Sequence, residues 1–545
     1  MPRRHVTVAL ALVLMLLLPA TALAQGGSGG SNLYSLAATL NGGNEVPLGD
    51  PDGFGYARVT IDLDTAQLCY QVSVARIDPA TAMHIHEGPP GVAGPVVIPL
   101  DPPTNDGLVS GCVTADPALL SDIVSNPWNY YVNVHNTSYP AGAVRGQLHP
   151  VGYEPAPRPD TPVASIEVVV DGLNNPRGVD MAADGSVHLA EAGSGGEDCV
   201  NVGTEEEPFE LCFGLTGAVT MVADGVAEQV GASLPSYADA TGTFSTGPHD
   251  TAEGADGTIY TVVGLGASAP ERDGVAAEFD YAAGLATLMM LGDDGSWTVA
   301  ADLAAYEFAN NVAGDFYPNE ETGEPDPDAP NLESNPYSVL AVDDGVLVVD
   351  AGANAVFHVA ADGTISTYAI FPAEMVEAPE FLGLPPGTMI PMDAVPTAVA
   401  VGPDGAYYVG QLTGFPFPVG GAKVWRLEDL DGDGDAMEEG EKTVYAEGLT
   451  AVVDIEFGAD GTLYAVEIAK NGLLAAEDPE ATEEDMTGAI VAIAEDGSQT
   501  EVASAGLILP GGVAVAGDGS LYVTTNSVFP DSGELVHITW PDDAP

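Results

Sequence analysis

The sequence predicts an all-β protein in two parts, a β-sandwich-like module followed by a six-bladed β-propeller. Three observations carry this reading. The 545 residues include 66 Gly and 43 Pro, which favours turns over long helices. Beyond residue 163 the chain repeats one pattern six times. Between the two parts stands Val151-Gly-Tyr-Glu-Pro-Ala-Pro-Arg-Pro-Asp-Thr-Pro162, whose four prolines make it a semi-rigid linker and a domain boundary.

The repeat is an apolar β-type stretch, a turn glycine (usually as Asp-Gly) and a second such stretch. The glycines are Gly185, Gly257, Gly345, Gly405, Gly461 and Gly519, and a proline stands nine residues before each except Gly461, where Val452 takes its place. Asp-Gly between two β-type runs is a hairpin signal. A second hairpin follows in most units, as in Ala355–Phe371. Four short strands per unit, six times over, describe a six-bladed propeller. Spacings of 56 to 88 residues place long insertions in the early blades. The last unit stops after its third strand, while Ile166–Val170 precedes the first blade with the ending typical of a fourth strand. Ile166–Val170 is therefore expected to complete the last blade beside Glu534–Trp540. The expected boundaries are a signal peptide at 1–24, a flexible Gly/Ser tether at 25–32, the first module at 33–149, the linker at 150–162, the propeller at 163–540 and a tail at 541–545.

Charge excludes two classes of partner. With 81 acidic against 12 basic residues, the net charge of −69 offers no footprint for nucleic acid or for an anionic membrane. Arg3 and Arg4, the apolar run Val6–Leu18 and Ala22-Leu23-Ala24 read as a secretory signal cleaved after Ala24. The run is shorter than the ~20 residues of a spanning helix, so no transmembrane segment is expected after cleavage, and the chain reads as secreted. Four cysteines in an exported chain suggest two disulfides, Cys69 with Cys112 and Cys199 with Cys212.

In the first module, Ala38-Thr-Leu-Asn-Gly-Gly-Asn-Glu-Val-Pro47, His84-Ile-His-Glu-Gly88, Tyr131-Val-Asn-Val-His135 and Tyr139-Pro-Ala-Gly-Ala-Val-Arg-Gly-Gln-Leu148 follow one another. Together they resemble the CHRD domain of chordin and of exported bacterial proteins, which implies a β-sandwich-like fold. Alternation in Ala57–Leu63 and Leu68–Val74 agrees with it independently. His84 and His86 share one strand face, and His135 ends another strand. Three such nitrogens suit copper or zinc. With Arg145 they also resemble the copper side of copper/zinc superoxide dismutases, although no bridging His follows His86 and no zinc loop is present. The plain structural alternative is a hydrogen-bonded polar cluster.

In the second part, Pro176-Arg-Gly178, Leu189-Ala-Glu-Ala-Gly193 and Gly264-Leu-Gly266 resemble the ScyD/ScyE family of exported propellers, and the Cys199/Cys212 insertion fits that pattern. Polar residues recur at matched offsets in the repeat: Arg177, His249, Asp250, Glu191, Asp350, Asp454 and Glu467. Converging at a channel mouth, they would bind a ligand, and the carboxylates could hold calcium. Water-facing ion pairs in an inert channel are the structural alternative. In the run Asp429 to Asp435, Asp429, Asp431 and Asp433 with Gly434 match the start of an EF-hand loop, but Gly440 stands at the twelfth position where Glu belongs, so the expectation is a calcium-clamped hairpin held by Asp429, Asp431, Asp433 and Asp435 or, alternatively, a solvated acidic turn. No Gly-x-Ser-x-Gly elbow, phosphate loop, Rossmann fingerprint or His-Glu-x-x-His motif occurs, and no nucleotide cofactor is expected. The reading that follows is a secreted binding or scaffold protein whose propeller faces an extracellular ligand or protein. The alternative is a metal-dependent propeller hydrolase of lactonase or esterase type.

Overall fold

A computed structural model describes residues 33–540 except 43–44, 47–48, 51–53, 64, 89–92, 105–106, 151–164, 183, 202–208, 224, 244, 293, 315, 319–324, 386, 439, 479–480 and 496. The expected signal peptide, tether and tail, and all of the linker but residue 150, lie outside the described residues. The described residues form two compact units: 165–373 with 392–540, and 33–150 with 374–391. The hairpin made by Glu374–Glu377 and Met389–Met392, which the repeat places between blades 3 and 4, thus groups with the amino-terminal module, where Glu377 pairs with Arg58 at 2.8 Å.

The first unit is an all-β ring of six antiparallel sheets. Its innermost strands are Pro176–Met181, Pro248–Glu253, Pro336–Val342, Pro396–Val401, Val452–Phe457 and Gly512–Val515. Each touches the next, and the last touches the first. Apolar side chains pack between the blades, so each of six clusters spans two neighbours. Val179 and Leu189 of blade 1, for example, meet Ala514 and Leu535 of blade 6. Ser165–Leu173 pairs with Gly533–Thr539 and supplies the outer strand of blade 6, with Ile166 opposite Ile538.

The Asp-Gly turns form for two local reasons. Gly185, Gly257, Gly405, Gly461 and Gly519 all adopt φ between 83° and 88°, a region that costs other residues ~1–2 kcal/mol. The preceding aspartate accepts a hydrogen bond from the backbone N–H two residues on, as Asp184 does from Ser186 at 2.9 Å and Asp460 from Thr462 at 3.0 Å. Gly345 differs from this pattern. It opens the strand Gly345–Asp350 instead of occupying the turn, and a Cβ there would stand 2.2 Å from the Val359 carbonyl oxygen.

On the channel side the blades are stitched by one repeated bond. A side chain two residues past the proline position accepts the backbone N–H three residues past it in the next blade. Asp250 takes Val339 at 2.9 Å, Ser338 takes Val399 at 3.3 Å, and Asp454 takes Val513 at 2.8 Å. The same strand faces continue inward to Asp180 and Glu456. Burial pushes Asp180 up to about 6, Asp250 to about 7, Glu456 to about 8 and Asp454 well above the carboxylate range, and their mutual repulsion adds to it. His249, Arg177, Tyr337 and Glu253 are the other titratable neighbours, and burial pushes His249 down to about 3.

The second unit holds one nine-stranded sheet. We label its main strands β1 (Leu33–Asn41), β2 (Phe54–Asp62), β3 (Gln67–Ala75), β4 (Ala82–Glu87), β5 (Val96–Leu100), β6 (Leu108–Thr114), β7 (Tyr130–His135) and β8 (Val144–Gln147). The order is β5-β4-β7-β8-β1-β2-β3-β6. Ile98 near one end and Val72 near the other share a single core, so the sheet folds over on itself as a sandwich does. Cys69 and Cys112 face each other across β3 and β6, and Cys199 and Cys212 across neighbouring strands of blade 1; both pairs are disulfides.

Two outcomes follow for the ring. Deleting Ser165–Leu173 removes the closing strand and should lower its melting temperature by about 10 °C or more; a melt like that of the full chain would show that blade 6 closes without it. For pH, carboxyls protonated in the fold but ionised in the unfolded chain give the folded state excess protons, so stability falls as pH rises. Below pH 6.5 the neutral buried histidines act with the opposite sign, which leaves pH 6.5 to 8 as the window. Melting temperature should drop across it. Glu456→Gln should flatten the slope by up to about 1.4 kcal/mol per pH unit, and an unaltered slope would contradict this account.

Candidate metal centre

The histidines sit on the face of the sheet opposite the core. Along β4, Met83 and Ile85 point into the apolar cluster, so His84 and His86 point the other way; along β7, Val132 and Val134 do the same and leave Tyr131, Asn133 and His135 outward. That face is polar and nevertheless buried. His86 is 8% exposed, His135 9%, Asn133 3% and Arg145 1%. Described residues of the flanking loops are tied to it and to one another by bonds such as Asn133 to Glu45 at 3.1 Å and the Asp50 N–H to the Ala143 carbonyl at 2.8 Å.

Each ring is oriented by backbone. His86 donates its Nδ1–H to the Gly94 carbonyl at 2.9 Å, and His135 donates its own to the Pro140 carbonyl at 3.3 Å. Those bonds make Nε2 the unprotonated nitrogen of both rings; that of His135 is within hydrogen-bond reach of His84, and that of His86 has no partner. His84 Nδ1 lies 3.2 Å from His135 Nε2, and one nitrogen from each of the three rings falls within 4.8 Å of the others. Two nitrogens on one tetrahedral ion at about 2.0–2.1 Å would stand roughly 3.3 Å apart. Burial pushes all three imidazoles down, His135 to about 4, so each is neutral at pH 7. His86 Nε2 is buried with no hydrogen-bond partner.

Beneath the triad, Tyr131 stacks on His86 with centroids 4.8 Å apart, and the Arg145 guanidinium lies 3.5 Å from the other side of the same ring. Burial pushes Glu45 up to about 8 against the pull of Arg145, so it holds a proton at neutral pH. Tyr131, Asn133 and Glu45 have no role in the sequence reading. All three lie inside the quoted motifs, and for Tyr131 and Asn133 the period-two relation to His135 is the signal that could have found them.

The acidic loop closes differently from an EF-hand. Asp429 accepts the N–H groups of Gly432 at 2.6 Å and Gly434 at 3.0 Å. The residue after Gly440, Glu441, turns back to accept Leu430 at 2.8 Å and Glu438 at 3.1 Å. Three overlapping groups result: Asp429 and Asp431 with Glu441, Asp431 and Asp433 with Glu438, and Asp435 with Glu438 and Glu441. Glu438 falls at the tenth position of the loop count and Glu441 one past the twelfth, so neither stands where an EF-hand ligand is expected.

The propeller candidates are placed apart from these. Glu191 accepts the Asn174 N–H at 2.7 Å, Glu467 accepts Thr450 at 2.8 Å, and Asp350 accepts Asn335 at 2.6 Å along with Ser334, Gly352 and Ala353. Each therefore ties down the segment that enters its own blade. Asp250 and Asp454 form the inter-blade stitches. Arg177 donates to the Ser245 carbonyl at 2.9 Å and to that of Ser527, and His249 donates to the Pro336 carbonyl at 3.0 Å. At the centre of the ring His249, Tyr337, Thr397 and Val453 line a small pocket together with Gly178, Asp250, Asp454 and Gly511. Among the described residues, sets of three or more His, Asp or Glu able to reach one ion lie at the histidine triad and the acidic loop.

Comparison with known proteins agrees on the amino-terminal module. No curated protein matches the chain. Of the solved structures it resembles, a gluconolactonase from Xanthomonas campestris is 12% identical with a TM-score of 0.38, covering 69% of this chain and 90% of that one. An alpha-L-arabinanase from Penicillium chrysogenum is 10% identical with a TM-score of 0.36, covering 70% and 100%. The pyranose dehydrogenase PQQ domain from Coprinopsis cinerea is 12% identical with a TM-score of 0.25, covering 70% and 98%. Residues 36–148 match the family model of the CHRD domain, so the histidine face belongs to a CHRD domain.

Proposed function

We propose that this is a secreted binding protein whose CHRD module captures copper or zinc through His84, His86 and His135. The observation that carries the reading is the buried, unpartnered Nε2 of His86 beside two further imidazole nitrogens. Leaving a polar atom buried and unbonded costs roughly 1–3 kcal/mol. A metal ion would offset that cost, and the Nδ1–H bonds to Gly94 and Pro140 are the outer support that ligating histidines use. Three protein nitrogens leave a fourth position open to water or a small ligand. Two disulfides support an oxidising, extracellular setting.

For the propeller, the proposed kinship is with the ScyD/ScyE family, supported by Pro176-Arg-Gly178 and the Cys199–Cys212 insertion. Its proposed role is to present a face to an extracellular partner, with calcium stiffening the Asp429–Glu441 loop.

Metal analysis of the mature protein, purified without chelator, tests the main reading. About one copper or zinc per chain is expected, falling at least ~10-fold in a His84→Ala/His86→Ala double variant that stays folded. Equal metal content in both proteins would refute it. Calcium alone in the wild type would turn the search to the acidic loop and its partners.

A further inference from the structure

The triad is held by something the reading above does not require, a pair of side chains that pin the two ends of one loop. Tyr131 on β7 and Gln147 on β8 are direct cross-strand partners. The Tyr131 hydroxyl accepts the Gly94 N–H at 3.0 Å, and Gln147 donates its side-chain N–H to the Gly88 carbonyl at 2.9 Å. Gly94 is also the residue whose carbonyl accepts His86 Nδ1–H. A Cβ at Gly94 would stand 1.7 Å from the Glu87 carbonyl oxygen, so the chain passes there with no room to spare. Arg145 joins the two clamps. Its guanidinium lies over the Tyr131 ring and donates to Gln147 Oε1 at 3.0 Å. The opposite face of Tyr131 carries His86 itself, at an interplanar angle of 16°.

We infer that Tyr131 and Gln147, held together by Arg145, are the positioning residues of the metal centre, a deepening that rests on the reading proposed above. They act on His86 in two ways. The Tyr131 ring sets its plane by stacking, and the anchored loop end presents the Gly94 carbonyl that keeps the proton on Nδ1. With the proton held there, Nε2 is the atom left to bind an ion. Without the anchors the Gly94 carbonyl drifts, the proton distributes between the two nitrogens, and a ligand atom is lost for part of the time.

The test uses the full mature chain with Tyr131→Phe and Gln147→Met, and Tyr70→Phe as a control. Tyr70 is another buried tyrosine of the same module, and its hydroxyl accepts the Asp101 N–H at 3.0 Å, away from the histidines. Zinc affinity by chelator competition should fall about 10-fold in each of the first two variants. The electron paramagnetic resonance spectrum of the copper(II)-loaded protein should change with it, while the control moves neither. Long-range nitrogen NMR of the metal-free protein supplies a readout that needs no ion: His86 should be a single Nδ1–H tautomer in the wild type and a mixture in Tyr131→Phe. Wild-type affinity, spectrum and tautomer in both variants would overturn the inference and leave metal capture standing. A wild type that takes up no metal would overturn both.

Discussion

A closed ring of sheets must satisfy the backbone N–H groups wherever the chain crosses from one blade to the next, and the rest of this propeller is organised around that demand. Within a blade, strands pair and the ladder consumes donors and acceptors. Between blades there is no ladder, and the crossing segments run through buried space where an unbonded amide is costly. The chain meets this with side chains placed at strand ends. Glu191, Asp350 and Glu467 bind the segment entering their own blade, and Thr525 does the same for Ile508 at 2.9 Å. Asp250, Ser338 and Asp454 reach to the following blade. Where the stitching position is glycine, the space is already taken: a Cβ on Gly178 would stand 2.1 Å from the Asp250 carboxylate, and one on Gly512 2.9 Å from the Arg177 carbonyl oxygen.

This demand explains why recurrence at matched offsets is poor evidence for a binding site in a repeat protein. Core positions of a strand are apolar, so polar residues recurring at one offset suggest a channel lining. Asp350 fails that argument because it is entirely buried and bonded to four donors. Recurrence reports the repeat's own hydrogen-bonding needs, which are the same in each blade. A ligand site is instead a place where the repeat is broken, and its residues would be unlike at matched offsets.

The ring and its closing strand were legible because they follow from turn chemistry and a strand count. Asp-Gly supplies a left-handed glycine and an accepting aspartate at once, so its recurrence marks hairpins whatever the tertiary setting. Likewise Cys69 and Cys112 fall opposite each other once β3 and β6 pair. What stayed illegible depended on segments that cover a sheet. Nothing in the spacing of His84, His86 and His135 says that Gly94 and Pro140 will cap them, or that Tyr131 will be wedged between His86 and Arg145. Glu441 was missed for a related reason. A loop-motif count fixes the ligand at position twelve, whereas the observed turn carries the chain one residue further before it folds back.

The two parts of the chain therefore treat buried polar atoms in opposite ways. In the propeller the candidate carboxylates are bonded to backbone donors, and the buried polar side-chain atoms without partners among the described residues, such as Asn175 Oδ1, His188 Nδ1 and Ser527 Oγ, belong to no set that could share an ion. In the CHRD domain the unpartnered atoms gather on one face: Glu45 Oε1, His86 Nε2 and Asn133 Oδ1 all belong to the layer around Arg145, and Asn136 Nδ2 follows at its edge. A fold selected for stability alone would replace such a layer with apolar side chains, since a half-satisfied polar network is worse than none. If the domain captures a metal ion as proposed, an ion shared by the three imidazole nitrogens would supply the bond that His86 Nε2 lacks.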